Sequence, residues 1–307
     1  MPFLASSLVY DICPAMLFPS FSVITNSKIN LGLHVLGRRA DGFHNIESIF
    51  VAIDLGDSLT FEAADQLSVE CHPAVTLSPE HNIVHKAARL YAERFPSDAC
   101  GAKIIVNKRI PTGAGLGGGS GDAAATLLSL ARINGRLDDP GVVDLLQPLA
   151  AECGSDVPFF LHSGVALVTG RGELVSPLDV PFPWTILLVC PGIHVNTANA
   201  YSTLGITSAK PSSNLEAKYS YAVENHVINS ADFINDFESA VFPQQPFLAE
   251  IKQRLINVGA DFASMSGSGS SVYGLFDSAT KAAEAAGNLA DLQPYICAPV
   301  TAPLRII

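Results

Sequence analysis

The stretch Pro111-Thr112-Gly113-Ala114-Gly115-Leu116-Gly117-Gly118-Gly119-Ser120 puts five glycines into seven positions, and an alanine-rich run follows from Ala123. Glycine contributes no side chain to packing and loses more conformational freedom on folding than any other residue. Such a cluster therefore signals backbone in unusual dihedrals or in close approach to a ligand. The preceding residues 103–110 read as a strand. Residues 122–136 read as a helix, with Leu127, Leu128 and Ala131 spaced to share a buried face. A glycine loop entering a helix aims free N–H groups and the positive end of the helix dipole at one point, which suits an anion. The segment reads as a phosphate cradle.

Two familiar nucleotide motifs do not account for it. Gly113, Gly115 and Gly118 satisfy G-x-G-x-x-G, but the acidic residue expected about 20 positions on falls at Asp138 and Asp139, in a polar turn before Pro140 rather than at a strand end. The P-loop needs a lysine after the second glycine, and position 119 is Gly.

Around this loop the chain has 307 residues, 48% hydrophobic and 15% charged, enough for one large domain or two moderate ones. A net charge of −11 argues against general nucleic-acid binding, which needs a basic surface, so any nucleotide is held locally. Six cysteines, at 13, 71, 100, 153, 190 and 297, form no C-x-x-C pair and read as reduced, mostly buried thiols. His81 and His85 lie one helical turn apart without a third ligand and read as a surface pair. The N-terminal stretch lacks a basic n-region and carries prolines at 2, 14 and 19. No apolar run reaches membrane length without charges or prolines, so a cytoplasmic protein is expected. Residues 1–20 read as an N-terminal extension, whose first fifteen residues are either a tail or precede a true start at Met16.

The elements that must position the loop follow from periodicity. Residues 22–37 alternate as a half-buried strand, with Ile29, Leu31, Leu33 and Val35 on one face and Lys28, Asn30, Gly32 and His34 on the other. Residues 49–53 and 58–62 read as two further strands, and 82–95 as an amphipathic helix. A helix at 142–153 contains Pro148, and Gly154-Ser155-Asp156-Val157-Pro158 follows it. Three prolines in 176–184 mark the expected domain boundary, dividing the chain into residues 21–175 and 185–307. Beyond it come strands at 185–190 and on both sides of Ser266-Gly267-Ser268-Gly269-Ser270, and helices at 246–258 and 280–292. Strands and helices mix without βαβ regularity, which predicts an α+β fold.

Three segments, in this order, resemble the GHMP family of small-molecule kinases: the strand around Lys28, the glycine loop 111–124 and the Gly267/Gly269 turn. The resemblance spans about residues 24–300 and implies a two-domain α+β kinase with its active site in the interdomain cleft. Within that family, Ser27-Lys28-Ile29-Asn30-Leu31-Gly32-Leu33 running into Arg39-Ala40-Asp41-Gly42-Phe43-His44 resembles one branch. That branch moves the ATP γ-phosphoryl to the 2-hydroxyl of a methylerythritol carried on cytidine diphosphate, in the non-mevalonate isoprenoid route. Alternatives are another kinase of the family, acting on homoserine, mevalonate or a sugar, or a nucleotide-binding regulator that has lost catalysis. Both kinase readings imply ATP, Mg²⁺ and a small-molecule acceptor, with the protein a monomer or homodimer.

Carried onto this sequence, the resemblance implies Asp156 as the group that takes the hydroxyl proton and Lys28 opposite it. Taken alone, the two read as a turn or helix cap and a solvated strand end. It implies an ATP site from Pro111, Gly113, Gly115, Leu116, Gly117, Gly118, Gly119, Ser120 and Gly121, with Asn82 and Lys108 around base and ribose. Asn30, Phe43, His44, Tyr201, Gly267 and Ser268 are the implied acceptor site, with His44 reading the cytosine edge and aromatic rings covering its face. No strong metal-ligand cluster is visible, so Mg²⁺ is expected on phosphates and waters, with Ser120 as a candidate donor. Four positions depart from the family pattern: Gly121 replaces a second serine, Phe43 a frequent Tyr, Tyr201 a common Phe, and Ser27 an Ala.

Overall fold

A computed structural model describes residues 18–74, 82–98, 101–162, 164–206 and 208–307; the N-terminal segment up to residue 17, His81, Cys13 and Cys100 lie outside these. The chain opens with two long antiparallel strands, β1 (Phe21–Arg38) and β2 (His44–Ala63), then β3 (Ser68–His72), α1 (Ile83–Arg94), β4 (Ala102–Asn107), α2 (Gly118–Ile133) and α3 (Val142–Cys153). A 3-10 turn, Val157–Leu161, leads into the hairpin β5 (Val165–Thr169) and β6 (Leu174–Pro177). The second half comprises β7 (Thr185–Val189), α4 (Thr197–Leu204), α5 (Leu215–Asn225), α6 (Glu238–Val241), α7 (Pro246–Asn257), β8 (Phe262–Met265), β9 (Val272–Phe276), α8 (Ala279–Asn288), β10 (Tyr295–Cys297) and β11 (Leu304–Ile306).

Two sheets result. Seven strands form the first, with β11-β1-β2-β4-β3 as its spine and the β5–β6 hairpin attached to β2; the second runs β10-β7-β9-β8. The only parallel pair named among these is β3 with β4, in keeping with an α+β fold. The chain passes from the first sheet to the second between β6 and β7, and its last strand returns to pair with β1, Val23 opposite Ile306.

Three differences from the expected elements bear on the site. Residues 49–53 and 58–62 belong to one strand, β2, because the Asp54-Leu55 stretch that reads as a break is a bulge, taken up where Asn26 pairs with Gly56 and Ser27 with Ile53. The β1 alternation is interrupted at Gly32, an extra residue at φ +67 between the pairs Leu31/Ile49 and Leu33/Ser48. Ile29 and Leu31 therefore pack between the sheets with Val51, Tyr273 and Leu275, whereas Leu33 and Val35 join a separate core with Leu187, Val272 and Leu248. The strand is also buried on both faces rather than half-buried: α2 and the 3-10 turn cover the Lys28 face, where Phe50, Phe159, Phe160 and Ala123 pack.

Candidate functional site

α2 starts at Gly118, inside the glycine run rather than after it. Gly117 is its N-cap at φ 72, a conformation costly for any residue with a Cβ, and the first intrahelical bond goes from the Gly121 amide to the Gly117 carbonyl at 2.9 Å. The amides of residues 117–120 thus have no intrahelical acceptor and converge on one point at the positive end of the helix. They line a cavity of about 390 Å³ together with Asn82, Lys108 and Pro111. Gly113, Gly115 and Gly117 also line a larger cavity of about 1040 Å³, so the loop is the common wall of the two.

At Gly115 the three separated motifs meet. Its φ is +78, and a Cβ there would lie 2.2 Å from the Ser266 carbonyl oxygen, so only glycine lets the 266–270 turn pack on the loop. The Gly115 carbonyl accepts from Lys28 Nζ at 3.2 Å and from Ser266 Oγ at 3.0 Å, while the Ser271 amide donates to the Ala114 carbonyl. Gly267 and Ser268 sit on this turn, which Asn235 braces by donating to the Met265 and Gly267 carbonyls at 2.7 and 2.8 Å.

Lys28 is 3% exposed. Its Nζ donates to Asn30 Oδ1 at 2.7 Å, lies 3.3 Å from Asp156 Oδ2 and stands 4.5 Å over the Phe50 ring. Asn30 in turn donates to Ser48 Oγ, which donates to the Gly32 carbonyl, so the bulge and the amide are fixed together. Asp156 occupies the N-cap of the 3-10 turn, but its carboxylate makes no capping bond; it stays 31% exposed and faces the larger cavity. The plain reading of Asp156 as a cap residue does not describe this geometry.

The same cavity is also lined by Phe43, His44 and Tyr201. His44 and Tyr201 stack with centroids 4.7 Å apart and planes 14° apart, and Phe237 meets Tyr201 edge-on. Burial, helped by Arg38, lowers the His44 pKa, so the imidazole is neutral at neutral pH and presents one donor and one acceptor. Burial and the charge of Asp156 raise the Tyr201 hydroxyl to about 12.

On the smaller cavity, Asn82 caps α1, its side chain accepting from the Val84 amide. Lys108 is no solvated strand end: β4 stops at Asn107, and the ammonium, 8% exposed, is held between Asp57 and Asp122. Asp57 also accepts from the Arg109 and Ile110 amides, fixing the entry to the loop. Burial and the neighbouring Asp57 push Asp122 up to about 7 against the pull of Lys108. Among the described residues no group of three His, Cys, Asp or Glu side chains is arranged to hold a metal ion, and no helix is long and apolar enough to cross a membrane.

The structure thus brings Lys28, Asn30, Phe43, His44, Asp156, Tyr201, Gly267 and Ser268 around one cavity, and Asn82, Lys108, Pro111, Leu116, Gly118, Gly119 and Ser120 around the other. Gly121 points away from both, toward Thr25 of β1. Asp57, Asn235 and Arg171 are not legible as partners, because each is joined to the site by contacts distant in sequence; Asp122 adjoins the loop, but its pairing with Lys108 and Asp57 has no local signature.

The sequence profile of the GHMP kinases N terminal domain matches residues 82–164, and that of the GHMP kinases C terminal domain residues 217–293. A Chlorobaculum tepidum protein named 4-diphosphocytidyl-2-C-methyl-D-erythritol kinase is 41% identical over 270 residues, covering 86% of this chain and 93% of its own. The crystal structure of a 4-(cytidine 5'-diphospho)-2C-methyl-D-erythritol kinase superposes with a TM-score of 0.76 at 32% identity, over 91% of this chain and 99% of that one. A homoserine kinase from Cytophaga hutchinsonii shares the fold, with a TM-score of 0.73 over all of both chains at 19% identity. By identity and coverage together, the chain belongs to the GHMP kinases and, within them, to the 4-diphosphocytidyl-2-C-methyl-D-erythritol kinase family.

Proposed function

We propose that this protein transfers the γ-phosphoryl group of ATP to the 2-hydroxyl of 4-diphosphocytidyl-2-C-methyl-D-erythritol. The observation that carries the reading is the shared glycine wall. A nucleotide in the smaller cavity would lay its phosphates along the amides of 117–120, and an acceptor in the larger one would meet them beside Lys28 and Asp156. Phosphoryl transfer asks the protein chiefly for positioning, charge stabilisation and a proton acceptor.

The acceptor hydroxyl, held by Lys28 and Asn30, attacks the γ-phosphorus; the bond to the β,γ-bridging oxygen breaks, the hydroxyl proton passes to Asp156 and ADP leaves. Lys28 orients the Asp156 carboxylate and the attacking oxygen together, and the α2 N-terminus stabilises the phosphate charge. The Ser120 hydroxyl at the start of α2 would be the protein donor to Mg²⁺ brought in with ATP, an ion that would supply screening of the phosphate charge. In the larger cavity, neutral His44 reads the cytosine edge while Phe43 and Tyr201 offer aromatic faces.

Release of ADP by the purified protein with ATP and Mg²⁺ tests the reading. Turnover is expected with the cytidyl substrate and not with mevalonate or homoserine. A site built around the exocyclic amine of cytosine leaves buried groups unmatched by uracil, so the uridine analogue should be at least about 100-fold poorer in kcat/KM. Equal use of both analogues, or turnover of a substrate without a nucleotide, would reject the assignment.

A further inference from the structure

The tight turn Gly170-Arg171-Gly172 joins β5 to β6 and lies along the wall of the larger cavity. It touches that wall at two places. The Arg171 guanidinium stands 5.0 Å over the Phe43 ring, while a Cβ on Gly172, at φ +127, would come within 3.2 Å of Asp156 Oδ1. Arg171 thus stacks on the aromatic pocket while its neighbour Gly172 abuts the carboxylate of the Lys28–Asp156 pair.

Its charge has no carboxylate partner within 4.0 Å among the described residues. Of the nearby acids, Asp156 pairs with Lys28, Glu173 accepts from the Arg171 backbone amide at 2.6 Å, and Asp41 bonds Arg39 and the Phe43 amide while feeling the Arg171 charge at longer range. One guanidinium nitrogen donates to the Ala151 carbonyl at 2.7 Å, which anchors the side chain to the end of α3. With Lys28 and Asp156 cancelling, Arg38 and Arg171 leave the cavity lining two positive charges in a chain whose net charge is −11. A diphosphate esterified at both ends carries two negative charges, and in the proposed acceptor it lies between the cytidine and the reacting polyol.

We propose that Arg171 binds the diphosphate of the acceptor and makes the larger cavity selective for it over the bare nucleoside. The assignment rests on the acceptor reading above. A planar guanidinium held at one nitrogen and stacked on an aromatic ring is pre-oriented to give its remaining N–H groups to phosphate oxygens, at little further entropic cost.

The test is calorimetric titration of CDP and of cytidine into the protein saturated with a non-hydrolysable ATP analogue, which keeps CDP out of the smaller cavity. Arg171→Met retains the reach and the cover on Phe43 without the charge. It should weaken CDP about 10- to 100-fold and cytidine by less than about threefold, with the affinity for the ATP analogue unchanged; Arg171→Lys should recover part of the loss. Unchanged CDP affinity, or an equal fall for CDP and cytidine, would overturn the assignment while leaving the acceptor site standing. Failure of the wild-type protein to bind cytidine or CDP at all would overturn the acceptor reading and this assignment with it.

Discussion

Lys28 and Lys108 lie on opposite sides of the same glycine loop, and both are almost wholly buried. Their surroundings differ in kind. Lys28 has one carboxylate, Asp156, at 3.3 Å and shares its other hydrogen bonds with the neutral oxygens of Asn30 and Gly115. Lys108 has two, Asp57 and Asp122, themselves 0% and 4% exposed. A buried charge is tolerable only when paired, and an ammonium clamped between two buried carboxylates is committed to the fold. A pair that leaves one carboxylate facing a cavity can exchange protons with a ligand. In the proposed function the second arrangement accompanies phosphoryl transfer, whereas the first fixes the strand end that leads into the loop.

Removing one charge on each side tests chemistry on the first and stability on the second. Asp156→Asn keeps the shape of the side chain but not its basicity, and should lower kcat by about 10²- to 10⁴-fold with ATP affinity near wild type; the thermal midpoint should fall as well, because buried Lys28 loses its carboxylate, so turnover is compared at a temperature where the variant is folded. Near wild-type turnover would remove Asp156 from the mechanism. Lys108→Met should do the reverse of a catalytic lesion. It strands Asp57 and Asp122 without a counter-charge and should cost about 3–5 kcal/mol of unfolding free energy in urea titration. A loss below about 1 kcal/mol would mean that the cluster is not a structural clamp.

The two sides of the loop were not equally legible in the sequence. The glycines announce themselves, because their density has no packing explanation, and the Lys28 strand carries a recognisable alternation. α2 begins four residues before the start that the sequence predicts, because glycine is a poor helix former; here the first turn tolerates it, and a Cβ at Gly118 would lie 2.9 Å from the Ile110 side chain. The clamp on Lys108 is not legible in the sequence, because its partners lie 51 and 14 residues away, a convergence no local pattern encodes. α4 and α5 bear no strong amphipathic stripe, burying one and three side chains respectively, and were passed over even though Tyr201 lies on the first of them. Arg171 in a Gly-Arg-Gly turn is indistinguishable in sequence from an exposed hairpin tip.

Neighbouring positions on α2 sharpen the contrast further, since Gly121 faces the Lys28 strand and Asp122 faces Lys108. A Cβ at 121 would lie 2.1 Å from Thr25 Oγ1, a buried hydroxyl with no hydrogen-bond partner among the described residues, so Thr25 fills the space that a serine at 121 would need. Gly121→Ser alone should therefore overpack the β1–α2 contact and cost about 1–3 kcal/mol. With Thr25→Ala beside it most of that loss should return, a non-additivity that a double-mutant cycle in urea would measure. Simple additivity would mean that the two positions do not compete for the same space.

The smallest effect belongs to Asp122 and concerns pH. Its ordinary value of 3.8 is raised to about 7, burial and Asp57 outweighing the attraction of Lys108. The folded protein thus holds this proton more tightly than the unfolded chain does. The resulting stabilisation is complete below about pH 4 and is lost as the pH rises through about 7, opposite in sign to a salt-bridged surface carboxylate. Asp122→Asn keeps an acceptor for Lys108 and removes the second negative charge, so its thermal midpoint should lack this downward slope. At pH 8 it should exceed wild type by about 1 kcal/mol, roughly 2 °C for a chain of this size. Parallel pH profiles for the two proteins would place the excess negative charge of the cluster elsewhere. A drop in midpoint at pH 8 would mean that Lys108 needs both carboxylates ionised, making the cluster a balanced clamp and drawing the two sides of the loop closer together than their geometry suggests.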